Sequence, residues 1–220
     1  MKKLLAILSL LTISTGLLAQ LTVGDSEIGV TFTGGVSRVY NEYDPSFYRP
    51  SANLGIYHRF KLSKNTFVGI EFSLHQIEGK QEYDERIWDT HQWTENTYYY
   101  LSHSTYVGFS PMIGCDIFKF SIDIKAQLLY LMINKGEEVD KKKYNGTAIV
   151  DDDNTYNDFL DTKLDFGLRF GLNYQITRRI IISSNYYYSF TEVHSYVGEQ
   201  MRGKITQITL GVKYSLWTSN

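Results

Sequence analysis

The chain has 220 residues, with three prolines, 17 glycines, 18 tyrosines and a formal charge of −2. This length suits one domain, and this composition favours strands and turns over helices. A single cysteine excludes an internal disulfide framework, and the small negative charge gives no indication of a nucleic-acid partner.

Residues 1–19 predict a cleaved signal peptide. Two lysines precede the uncharged apolar stretch Leu4–Leu18, and Ala19 is a small residue that fits the position before a cleavage site. The apolar stretch is shorter than the ~20 residues of a membrane-spanning helix, so we expect cleavage before Gln20 rather than a retained anchor. The exported chain, 20–220, would be a single domain with a formal charge of about −4 once the two lysines are removed.

The clearest strand signal is residues 164–176, with the sequence LDFGLRFGLNYQI. Every even position is large and apolar, whereas the odd positions carry charges, amides and glycines. A two-residue period places these two sets on opposite faces of a strand. The run exceeds the ~5–6 residues of a typical strand and matches the ~9–11 that cross a membrane.

The same alternation, with apolar residues at every second position and polar residues or glycines between them, recurs in most of the other segments that we predict as strands. The positions of one such set are said to share a parity. The eight predicted strands are Ile28–Tyr40, Ala52–Leu62, Thr66–Glu78, Tyr98–Ile117, Phe120–Asn134, Phe159–Ile176, Ile180–Val193 and Lys204–Trp217.

The predicted connections alternate in length. The short turns are Ser63–Asn65, 118–119 and Thr177–Arg179. The long polar connections are Asn41–Pro50, Gly79–Thr97, Lys135–Asp158 and His194–Gly203. Short turns at one end and long loops at the other are typical of outer-membrane barrels.

Glycines indicate which face of the strands points inward. Those with the parity of the polar residues are Gly55, Gly69, Gly108, Gly114, Gly167, Gly171 and Gly211. Glycine makes room in the lumen of a small barrel, whereas the bulky residues of the other parity are too many to fit inside eight strands. Only lipid makes their outward orientation favourable. We therefore predict an all-β fold, an eight-stranded antiparallel up-and-down transmembrane β-barrel.

The signal peptide, the eight strands and the closing strand QITLGVKYSLW resemble the small outer-membrane barrels of the OmpA/OmpX or PorT-like type. The resemblance covers 20–220 and implies outer-membrane lipid as the surroundings of a monomer. Three residues follow Trp217, whereas the last strand of that family commonly ends on a terminal aromatic. The resemblance specifies architecture and leaves the activity open.

Charged residues of both signs lie on the inward parity. The candidate lumen network comprises Arg59, Glu71, Asp123, Lys125, Asp165, Arg169 and Lys213. These charges could pair with one another and plug the lumen, or they could line an ion path. We favour the plug, because eight strands leave little bore and charges shut away from water have to be paired.

Aromatic residues in the long connections are the candidates for recognition. Tyr43, Phe47 and Tyr48 lie in the first of them, and Trp88 and Trp93 lie in the second. Binding residues concentrate on loops held by a rigid scaffold, and aromatics are enriched at recognition surfaces. The alternative is that these aromatics sit at the membrane interface or pack the loops together. We expect an envelope or extracellular partner to bind through the loops, and we predict no cofactor and no metal.

The sequence YLSHSTY places Ser102 and Ser104 beside His103, which raises the possibility of a lipid hydrolase or acyltransferase. Strand alternation points His103 away from both serines, and no acid partner is marked. We therefore expect a non-enzymatic barrel with a structural or loop-mediated recognition role. The alternatives are a narrow channel, an outer-leaflet lipid-modifying enzyme and a soluble lipocalin-like carrier.

Overall fold

A computed structural model describes residues 25–40, 46–89, 92–144, 147–157, 160, 162–194 and 202–219. The predicted signal peptide lies outside these residues. The strands are β1 (Ser26–Tyr40), β2 (Ser46–Phe47), β3 (Arg49–Lys61), β4 (Thr66–Asp89), β5 (Gln92–Ile117), β6 (Phe120–Tyr144), β7 (Thr147–Asn157), β8 (Leu164–Gln175), β9 (Ile180–His194) and β10 (Arg202–Thr218). No helix long and apolar enough to cross a membrane is found in this part of the chain.

Eight of these strands close into a barrel. The order around the wall is β1-β3-β4-β5-β6-β8-β9-β10, every neighbouring pair is antiparallel, and β10 returns to pair with β1. The two remaining strands pair with ring strands farther along their length: β2 pairs with β4 beyond β3, and β7 pairs with β6 beyond β8. The closed eight-stranded antiparallel barrel predicted from the sequence is confirmed.

The wall has an apolar outer face and a polar inner face. On β8, Phe166 and Phe170 are exposed, while Asp165 and Arg169 are buried. On β10, the most exposed apolar side chain is Leu210, with 63% of its surface accessible. The orientation argued from the glycines therefore agrees with the structure, and the outward residues form an apolar belt around the barrel.

Three strands continue well beyond the predicted ends. The predicted loop Gly79–Thr97 is a continuation of the β4–β5 hairpin, in which Asp89 pairs with Gln92. The predicted loop Lys135–Asp158 is mostly the end of β6 together with β7. The sequence prediction relied on apolar alternation, which lipid imposes only within the belt. Beyond the belt, the backbone ladder continues although the sequence no longer alternates in this way.

All three predicted short turns are present at the opposite end of the barrel. In two of them the hydrogen bonds are the same: Ser63 Oγ accepts the N–H groups of Asn65 and Thr66, and Thr177 Oγ1 accepts those of Arg179 and Ile180. In the first turn, the N–H groups of Leu62 and Ser63 donate to the carbonyl of Thr66 at 2.9 and 3.2 Å. In the second, those of Ile176 and Thr177 donate to the carbonyl of Ile180 at the same two distances.

The third turn joins β5 to β6 through Phe118, whose φ of 57° lies in the left-handed region. A non-glycine residue seldom adopts this conformation. The Phe118 side chain is fully exposed, although it is large and apolar.

We expect Leu210→Arg to destabilise the barrel by about 2–4 kcal/mol, because an arginine on the lipid face near the midplane carries that cost. Leu62→Arg is the matched control, since Leu62 is 46% exposed at the edge of the belt. It should cost about 0–1 kcal/mol. Denaturant unfolding in lipid vesicles measures both values, and equal costs would contradict the assignment of the outer face.

Candidate functional site: the barrel interior and the outer rim

A layer of buried charges crosses the middle of the barrel. Lys125 Nζ donates to Glu71 Oε2 at 2.6 Å and lies 3.9 Å from Asp123 Oδ1. Lys213 Nζ reaches Asp123 Oδ2 at 3.4 Å, and Arg169 Nη1 lies 3.8 Å from Glu71 Oε1. These five side chains are at most 9% exposed, so their mutual pairing replaces the water that each charge would otherwise require.

A second group of charges lies nearer the short turns. Arg59 contacts Asp116 at 2.9 Å and Glu27 at 3.6 Å, and its guanidinium lies 4.0 Å from the centroid of the Phe67 ring. Tyr57 Oη donates to Glu27 Oε1 at 2.6 Å. Arg59 lies in the interior, where it forms a separate group with Glu27 and Asp116 and pairs with none of the five charges of the central layer.

Asp165 is held by hydroxyl groups. Tyr187 Oη donates to Asp165 Oδ2 at 2.6 Å, and Ser189 Oγ donates to Asp165 Oδ1. Two donors satisfy this buried carboxylate without a cation. Six of the seven predicted network residues therefore make ion pairs in the interior, and Asp165 lies there with different partners.

The loop-side part of the interior contains an apolar cluster, which the sequence prediction missed. The buried cluster consists of Val39, Ile77, Tyr106, Leu129, Leu131, Leu160, Tyr187, Val193 and Ile205. The sequence did carry a signal for this cluster. Near the outer ends of the strands, several inward positions are apolar, whereas the other inward positions are mostly polar. A smaller cluster of Tyr57, Phe67 and Met112 lies on the turn side.

Two of the large inward tyrosines lie directly over glycines. A Cβ at Gly29 would come within 2.5 Å of the Tyr57 ring, and one at Gly167 within 2.7 Å of the Tyr187 ring. Neither glycine can therefore gain a side chain without moving an aromatic ring. The inward glycines leave room for bulky neighbours, as the sequence analysis expected.

Ser73, His75 and Asn53 form a hydrogen-bonded chain between the apolar cluster and the charged layer. His75 Nε2 lies 2.6 Å from Ser73 Oγ, and His75 Nδ1 lies 2.7 Å from Asn53 Oδ1. The order is that of a nucleophile, a base and an orienting group. All three side chains are buried, and His75 is 0% exposed, so a substrate has no approach to Ser73. This chain is a polar packing element that sequence reasoning did not detect.

The serine–histidine segment of β5 does not assemble a catalytic group. Ser102 and Ser104 are each 2% exposed and face the interior, where Ser104 Oγ donates to Asn134 Oδ1 at 3.0 Å. His103 faces outward and lies 3.3 Å from Glu78. Among the described residues, no group of three or more His, Cys, Asp or Glu side chains could hold a metal ion.

Phe47 and Tyr48 lie at the outer rim and are exposed. Lys80 Nζ lies 5.0 Å from the centroid of the Phe47 ring, and the Arg38 guanidinium lies 4.8 Å from that of Tyr48. These cation–π contacts hold the two rings at the barrel mouth while leaving much of each accessible.

The remaining candidate aromatics belong to other parts of the rim. Trp88 and Trp93 occupy paired positions near the end of the β4–β5 hairpin, far along the strands from Phe47. Tyr43 lies outside the described residues. The predicted recognition residues therefore fall in at least two places rather than in one cluster.

Residues 18–195 match the family described as "Outer membrane protein beta-barrel domain". Among solved structures, the chain is similar to Neisserial surface protein A, with 12% identity over 88% of this chain and 99% of that one and a TM-score of 0.45. It is also similar to Ail of Yersinia pestis, with 13% identity over 89% and 100% of the two chains and a TM-score of 0.37. OprG of Pseudomonas aeruginosa gives 11% identity over 88% and 96% and a TM-score of 0.33. No curated protein sequence matches the chain.

We expect Lys125→Met to destabilise the barrel by about 3–5 kcal/mol, because it leaves the buried Glu71 carboxylate without its closest partner. Combining it with Glu71→Gln should cost less than the sum of the two single substitutions. A double-mutant cycle from denaturant unfolding in vesicles measures the difference. Additive costs would show that the two side chains do not stabilise each other.

Proposed function

The chain belongs to the family of the outer membrane protein beta-barrel domain, and we propose that it is a non-enzymatic barrel with a closed lumen and a recognition surface on its outer hairpins and loops. The proposal includes export through a signal peptide cleaved after Ala19 and a monomeric state in the membrane. It also includes kinship with the OmpA/OmpX or PorT-like barrels.

The layered filling of the interior supports a closed lumen. The central charges pair with one another, so a passing ion would have to displace partners that are 2.6 to 3.9 Å apart. The apolar cluster lies above them toward the loops and offers a dehydrated ion no charged partner. A charged layer beneath an apolar one is a poor path for ions and an effective packing core.

The lengths of β4, β5 and β6 support recognition outside the membrane. A strand crosses a membrane in about 9–11 residues, whereas these three have 24, 26 and 25. On β4, the outward apolar residues end at Leu74, and Gln76 begins a polar outward face. More than half of this strand is therefore not needed for spanning, and an ordered extension of this kind can present binding residues rigidly.

Purified protein in planar bilayers should show no steady conductance, because the paired charges and the apolar cluster occupy the lumen. Arg169→Ala and Glu71→Ala test whether the charged layer closes the lumen, since each removes part of that layer. Reproducible single-channel steps in the unmodified protein, altered in size by either substitution, would favour a pore over a closed lumen.

Replacing residues 137–156 by a short turn should leave a folded, heat-modifiable barrel in the outer membrane. The removed segment is the end of β6 with most of β7, and both lie beyond Tyr130, where the pairing of β6 with β8 ends. The same cut, or Trp88→Ala combined with Trp93→Ala, should weaken the binding of a partner captured from envelope extracts.

Phe118→Ala is the matched control for these aromatic substitutions, because it removes an exposed ring from the opposite end of the barrel. It should leave partner binding unchanged. If the shortened barrel folds and binds every partner as before, recognition does not depend on the outer hairpins.

A further inference from the structure

The three short turns carry four exposed cations, Lys64, Lys119, Arg178 and Arg179. No ion pair forms to any of them within the described residues. The acids at this end of the barrel already have partners, since Asp25 lies 3.6 Å from Lys61, and Glu27 and Asp116 contact Arg59. The turn end therefore presents positive charge that the protein does not neutralise.

These cations lie at the edge of the apolar belt. Lys64 follows the exposed Leu62 by two residues, and Lys119 stands between the exposed rings of Phe118 and Phe120. At about 3.3 Å of rise per residue, two residues place a cation within about 7 Å of the last lipid-facing side chain. Phospholipid phosphates lie just beyond the hydrocarbon, and long basic side chains extend along apolar surface to reach such a layer.

The turns hold their cations in a repeated arrangement. In the β3–β4 and β8–β9 turns, a hydroxyl residue accepts two backbone N–H groups and is followed directly by a basic residue, Lys64 or Arg178. A cavity of about 750 Å³ opens between the turns, and Lys64, Lys119 and Arg178 are all at its lining. Three of the four cations thus lie around one opening, and Arg179 follows Arg178 in the same turn.

We propose that Lys64, Lys119, Arg178 and Arg179 form a cationic collar that binds the phosphates of anionic phospholipids in the leaflet at the turn end of the barrel. Two observations select this occupant. The charge is complementary to a phosphodiester, and the collar is continuous with the lipid-facing belt. The collar is separate from the loop surface and fixes the depth of the turn end in the membrane.

The single cysteine of the chain is a natural reporter for this site. Cys115 lies on the outward parity of β5 between the exposed Ile113 and Ile117, and it pairs with Thr66 just after the turn that holds Lys64. A bimane fluorophore attached there would sit beside the Lys64 and Lys119 turns. Spin-labelled lipids quench bimane at short range, so quenching reports which lipid accumulates at this place.

The labelled full barrel is inserted into phosphatidylcholine vesicles that contain a small fraction of spin-labelled phosphatidylglycerol or spin-labelled phosphatidylcholine. We expect an apparent local concentration about fivefold greater for phosphatidylglycerol, which corresponds to the ~1 kcal/mol of one basic residue at an anionic surface. Added salt should reduce this preference, because exposed charges are screened. Equal quenching by the two lipids would overturn the proposal without any variant being needed.

Lys64→Gln combined with Lys119→Gln should remove most of the preference while the barrel remains heat-modifiable. The matched control is Lys135→Gln combined with Lys163→Gln, which removes two exposed cations from the loop end. The control should keep the preference. Loss in both double variants would indicate a response to total charge, and retention in both would show that the turns do not bind the lipid; either result overturns the collar.

Discussion

The structure depends on one constraint, which is that a backbone inside lipid must satisfy all its hydrogen bonds internally. An open sheet leaves two unpaired edges, so the first and last strands have to meet. In this chain the seam between β1 and β10 runs from Glu27 and Thr218 to Tyr40 and Lys204. Ser26 and Ser219 add two further bonds at its turn end. Closure thus joins the two ends of the described chain and sets the circumference of everything inside.

A circumference of eight strands leaves a space that only side chains can fill. The chain fills it in layers, with an aromatic group near the turns, a charged layer in the middle and an apolar cluster toward the loops. Large and small residues alternate in depth, as Tyr57 over Gly29 and Tyr187 over Gly167 illustrate. The central charges lie within ion-pair distance of one another, and this pairing offsets the cost of their burial.

The sequence was informative wherever lipid imposed a pattern. Leu168 and Arg169 could be assigned to opposite faces, because only one side of a membrane strand can be polar and because glycines shared the parity of the arginine. The turns at Ser63 and Thr177 were also predictable, since lipid-facing residues stop abruptly on both sides of them. These features arise from local alternation along a single strand, which one sequence displays directly.

Contacts between distant strands could not be predicted in this way. The bond from Asn53 to His75, and the choice of hydroxyl partners for Asp165, depend on the register of strands around the ring. The apolar inward residues of the loop side also looked like errors in the pattern. The end of the β4–β5 hairpin was assigned to a loop, because the apolar alternation of the sequence ceases there while the backbone pairing continues.

The unequal strand lengths make the outer rim of the barrel asymmetric, so its sides differ when it is viewed along the membrane normal. β4, β5 and β6 are neighbours, and all three rise far past the belt, whereas β8 begins at Leu164, opposite Tyr130 of β6. Among the described residues, the outer rim is therefore tallest on the side of these three strands. A partner embedded in the same membrane can contact these three long strands only when the barrel has rotated about the membrane normal to face it. Such an encounter includes a rotational search, which slows association between two membrane-bound molecules.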